Sequence, residues 1–116
     1  MNKSFYILVS FFILGCESKQ PIEQPSILLN KSQLIGVIVD VQILESHYNN
    51  MFQRKQVYAN ALDSATYFVF ENHNINKSIF KENLKYYSHQ PDTLFGIYES
   101  ALDTINNRIN SGVKKQ

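Results

Sequence analysis

One kind of local signal occurs twice in this chain and does most to limit its fold. Leu29-Asn30-Lys31-Ser32-Gln33-Leu34 and Ile75-Asn76-Lys77-Ser78-Ile79-Phe80 each set an apolar residue before an asparagine and a second one four positions after it. An asparagine side chain in extended backbone can accept from the free N–H groups of a first helical turn. The flanking apolar pair can close over that turn as a hydrophobic staple. Asn30 and Asn76 therefore read as N-caps, with Leu29 and Leu34, then Ile75 and Phe80, as the staples. Gln33 adds the reciprocal half of a capping box.

Past each start the apolar spacing is three and four. Leu34, Ile38, Val41, Leu44/Glu45 and Tyr48 form a first stripe, with Val37 and Met51 on its flank. Asn49 to Gln56 is polar and reads as a loop. Val57 to about Glu71 fits a second helix with Tyr58, Ala61/Leu62, Ala65 and Phe68/Val69 on one side, broken by His73-Asn74. Phe80, Leu84 and Tyr87 mark a third helix ending near His89. Pro91 suits the first position of a fourth, with Asp92 beside the positive end of its dipole. Leu94, Ile97/Tyr98, Ala101, Ile105 and Ile109 continue that helix to a stop near Gly112. The run Leu34 to Val41 is also compatible with a strand, but the three-and-four spacing continues beyond it. Only 4 Gly and 3 Pro interrupt the 116 residues, which favours long elements. The expected fold is all-α: a small bundle of about four helices, with Phe80, Leu84, Tyr87 and Ile97 in its core.

The first residues have another character. A lysine at position 3 precedes the apolar run Phe5 to Leu14, a basic and then hydrophobic order typical of a secretory signal. That run is shorter than the roughly 20 residues needed to span a bilayer. It ends in Ile13-Leu14-Gly15-Cys16, which resembles the bacterial lipobox; Leu14 is bulkier than usual there. In that reading residues 1–15 are cleaved and Cys16, the chain's only cysteine, carries covalent diacylglycerol and a palmitate-type acyl chain. The alternatives are an ordinary signal with an incidental cysteine, or a buried N-terminal helix. Residues 16–28, with prolines at 21 and 25, read as a flexible tether, 29–112 as the helical domain and 113–116 as a tail. Without Lys3 the chain has ten basic and ten acidic residues, which argues against nucleic acid as a partner.

Three stretches carry a family resemblance: Leu34-Ile-Gly-Val-Ile-Val-Asp40-Val-Gln-Ile-Leu-Glu45, His73-Asn-Ile-Asn76-Lys-Ser-Ile-Phe80-Lys-Glu-Asn-Leu-Lys-Tyr86-Tyr87, and Pro91-Asp-Thr-Leu-Phe-Gly-Ile97-Tyr98. With them the chain resembles the small Bacteroidetes-type lipoproteins grouped as domain of unknown function 4296. The resemblance implies an envelope lipoprotein and brings no activity with it.

Candidate chemistry is sparse. Asp40 and His47, seven apart, share a helix face and could supply two ligands of a zinc site lacking a third. The plainer reading has Asp40 bonded to a neighbouring tyrosine and His47 at the surface. Tyr86-Tyr87 could form a stacking platform, but adjacent helical residues diverge, so one should face the core and the other its edge. Lys77, Lys81 and Lys85 line one face of the third helix, which invites a helix-turn-helix reading or, more simply, a solvated face. Asp63-Ser64-Ala65, Asp92-Thr93-Leu94 and Asp103-Thr104-Ile105 resemble a bacterial O-glycosylation acceptor, with Thr93 expected to be the most accessible. No nucleophile motif or phosphate loop occurs, so no catalytic residue, cofactor or metal is expected. The expected role is a lipid-anchored accessory or interaction domain at the periplasmic face of the outer membrane, with the membrane and an envelope protein as partners. A chaperone-like peptide-binding module is the alternative.

Overall fold

The computed structural model describes residues 21–51 and 55–113, with side chains described at 21–50 and 59–113. Among the described residues there are four helices and no strand: α1 Lys31–Met51, α2 Lys55–Asn72, α3 Lys77–Ser88 and α4 Pro91–Val113. The expected signal segment, Cys16 and the start of the tether lie outside the described residues, as does the tail after Val113.

Both helix starts form as their sequences imply. Asn30 Oδ1 accepts from Gln33 N at 2.9 Å while Gln33 Oε1 accepts from Asn30 N at 3.0 Å, a complete capping box. Asn76 Oδ1 accepts from Ile79 N at 2.9 Å. The connection between α1 and α2 is shorter than the loop expected over Asn49 to Gln56, because both helices continue into that polar stretch.

α1 is the central element. α2 and α4 pack on it, and α3 packs on α4. Leu34, Val37, Ile38, Val39 and Val41 are all buried, so this part of α1 is covered on most of its circumference. That explains the nearly unbroken apolar run: it is the signature of an enclosed helix, not of a strand. The core has two lobes. Leu29, Leu34, Ile38, Val39, Tyr87, Ile97 and Ala101 form one; Val37, Val41 and Phe70 form the other, with Ile75 and Phe80 against both.

Several facing expectations are corrected. On α2 the buried ring is Phe70, while Phe68 is exposed and Val69 half-buried. On α4, Tyr98 and Ile109 are exposed although both continue the apolar period. Phe80 and Leu84 are half-buried at the edge of the core, whereas Tyr87 and Ile97 are buried within it. The reason is geometric: each of these helices touches its neighbours along a narrow line, and its apolar stripe is wider than that line.

The turn between α2 and α3 has the tightest local logic. Ile75 N donates to Phe70 O at 3.0 Å and Asn74 N to Glu71 O at 2.9 Å, the paired bonds of a Schellman motif. Asn74 sits at φ 55°, the left-handed position that asparagine tolerates better than most residues. Ile75 then closes over Phe70 from one helix and staples the start of the next. This geometry leaves His73 at the end of α2, turned towards α1.

Candidate functional site

His73 crosses to α1 and its Nε2–H donates to Asp40 Oδ2 at 2.8 Å. Arg108 of α4 donates through Nη1 to Asp40 Oδ1, also at 2.8 Å. One carboxylate on the central helix thus ties down the α2–α3 turn and α4 together. Gly36, one turn before Asp40, makes room for the imidazole: a Cβ there would stand 3.3 Å from His73 Cε1. Asp40 therefore bonds a histidine and an arginine, not the tyrosine expected. His47 stays exposed, its ring edge-on to Tyr48 at 6.2 Å, and does not join Asp40. No cluster of three metal-ligating side chains occurs among the described residues.

Partial burial, the largest single influence, pushes the Asp40 carboxyl up, but the hydrogen bonds and charges of Arg108 and His73 outweigh it and hold it below its ordinary 3.8. A depressed carboxyl contributes stability above its ordinary value and loses it as pH falls through the folded value. Arg108→Gln is thus expected to lower stability by at most about 1 kcal/mol near neutral pH, because both side chains are partly exposed. The gap from the parent protein should close below roughly pH 4. Urea unfolding at both acidities checks this, and an equal gap at both would contradict it.

A second cluster fixes the segment before α1. Asn83 of α3 is wholly buried. Its Oδ1 accepts from Leu29 N at 2.8 Å, and its Nδ2 donates to Ile27 O and Ile79 O, both at 2.8 Å. Tyr87 donates its hydroxyl to Leu29 O at 2.8 Å, and burial pushes that phenol up. Nearer the surface, Ser26 bonds Glu82 through both N–H and hydroxyl; the hydrogen bonds from Ser78 and Ser26 hold this carboxyl low. The last residues of the expected tether, from Ser26, are therefore docked on α3. Asn83 had no signal in the sequence beyond its place between Phe80 and Tyr87.

Tyr86 and Tyr87 meet edge-on at 5.3 Å, with Tyr87 buried and Tyr86 at the edge, as their spacing implies. Lys77, Lys81 and Lys85 are exposed, and Lys77 pairs with Asp63 of α2 at 2.9 Å. Of the acceptor triplets, Ser64 is exposed but donates to Asn60 O at 3.1 Å. Thr104 is half-buried and donates to Ser100 O at 2.8 Å. Thr93 is half-buried too, so it is not the most accessible of the three.

Among the described residues, an exposed apolar strip runs along α4. Phe95, Tyr98, Leu102, Ile109 and Val113 keep 65%, 43%, 61%, 58% and 70% of their surface. Half-buried Ile105 continues the line, and Ile43 of α1 joins Ile105 and Ile109 in an open groove that also includes His47 and Arg108. No described helix is long and apolar enough to cross a membrane.

No curated protein and no solved structure matches the chain. A family model described as Domain of unknown function (DUF4296) matches residues 25–111. That span runs from the segment docked on α3 to the last turns of α4, and it takes in the Asp40 cluster and most of the apolar strip. The chain belongs to this family, the domain of unknown function DUF4296.

Proposed function

We propose that this protein is a lipid-anchored lipoprotein of the cell envelope, held at the periplasmic face of the outer membrane, whose helical domain acts as an accessory or interaction module. The observation that carries the reading is the ending Ile13-Leu14-Gly15-Cys16 of a short apolar run that follows a basic start. A thioether-linked diacylglycerol with a further acyl chain would give durable anchoring, since each buried CH₂ contributes about 0.8 kcal/mol. The domain would then stand off the membrane by the few residues between Cys16 and docked Ser26.

A second reading, a chaperone-like module for exported peptides, is favoured by the exposed strip on α4, because a continuous apolar surface marks an interaction site. Cys16→Ala tests the anchor. The variant should lose acyl-chain labelling in the native host and leave the membrane fraction, whereas retention of both would overturn the proposal.

A further inference from the structure

The exposed apolar residues of α4 fall in one line, joined by half-buried Ile105, which also packs against the core. Phe95, Tyr98, Leu102, Ile105, Ile109 and Gly112 follow one another at three, four, three, four and three, with Val113 beside the last. This is the seam of a coiled coil, a spacing that fits another helix laid alongside. The face that α4 turns to its own core is different: Ile97 and Ala101 are buried there, and Arg108 reaches Asp40. α4 thus carries two neighbouring apolar faces that meet at Ile105; among the described residues, Phe95, Tyr98, Leu102 and Ile109 of the outer face belong to neither core cluster.

We propose that the strip pairs with the same strip of a second copy, antiparallel, about a twofold axis passing between Asp103 and Thr104. In that register Phe95 meets Gly112, Tyr98 meets Ile109 and Leu102 meets Ile105, each pair occurring twice. The register is self-complementary in size. The Phe95 ring, 65% exposed, lies over Gly112, the one strip position with no side chain, where nothing stands within 4 Å of an added Cβ. A parallel pairing would set two phenylalanines together at one end and two glycines at the other, leaving a gap. The flanking positions agree as well: Glu99 comes beside the uncharged Asn106 of the second copy. Ile43 at the rim of the groove adds to the covered surface. Burial over both copies is on the order of 1,000 Å², the size at which specific interfaces begin.

The test uses the full chain carrying Phe95→Cys and Gly112→Cys together, purified, oxidised and mapped by mass spectrometry of its peptides. Within one helix these positions are about 25 Å apart, so a link between them must join two copies. The expected result is a covalent dimer with 95 joined to 112. Adding Leu102→Glu, at the centre of the strip, should lower its yield at least about tenfold while the melting curve stays put, because Leu102 is 61% exposed and belongs to neither core cluster of the described residues. A chain that stays uncrosslinked, a 95-to-95 link, or a yield indifferent to Leu102→Glu would each overturn the proposal. The first of these would leave the strip free for a peptide.

Discussion

Phe70→Ala is expected to lower the unfolding free energy by about 3–5 kcal/mol. The ring is 4% exposed and fills the lobe between Val37 and Val41 of α1. It lies 5.3 Å from the Phe80 ring and also takes the apolar contact of Ile75 that seals the turn between α2 and α3. Truncation removes transfer energy and leaves a cavity that the Schellman turn cannot easily close, since Asn74 and Ile75 are held by backbone bonds. Phe68→Ala is the control: same helix, same residue type, 62% exposed, with an expected change within about 0.5 kcal/mol. Urea unfolding of both variants checks the pair, and equal costs would show that α2 faces α1 through another side.

Asn83→Leu should cost about 2–4 kcal/mol even though it keeps size and adds apolar surface. The loss is electrostatic. Leu29 N has Asn83 Oδ1 as its acceptor at 2.8 Å in a buried setting, and leucine offers none. A buried donor left unpaired costs roughly 1–3 kcal/mol, and the two bonds from Nδ2 add to that. The Ile27 carbonyl can turn to water because Ile27 is exposed; the Leu29 N–H cannot. Amide exchange at Leu29 should quicken more than exchange in the middle of α1, separating local release of the segment from global loosening. A melting curve shifted by less than about 1 kcal/mol would mean that water replaces the amide there.

The two substitutions divide along what was legible in the chain. Phe70 stands in a run, Tyr67-Phe68-Val69-Phe70, in which any ring could face inward, and the period alone favours Phe68 with Val69. Asn83 stands three residues after Phe80 and four before Tyr87, on their helix face, but nothing local names its partners at Ile27 and Leu29. Asp40 interrupts an apolar helix, yet its partners are 33 and 68 residues away, beyond any local rule. By contrast, Asn30, Gln33 and Asn76 bond within three residues of themselves, so their roles were readable where they stand.

The sequence by itself determined where α1 and α3 begin, that Pro91 opens α4, that the turn at His73-Asn74 divides two helices, and that the fold is all-α. Caps, staples and helical periods close within one or two turns, so the information is local and survives without knowledge of the rest. Only the tertiary structure decided which ring of α2 is core, that an asparagine anchors the segment before α1, that one carboxylate binds three elements, and that α4 keeps a second apolar face uncovered. Those outcomes depend on where helices distant in sequence cross. A helix carries several possible contact lines, and its neighbours select one.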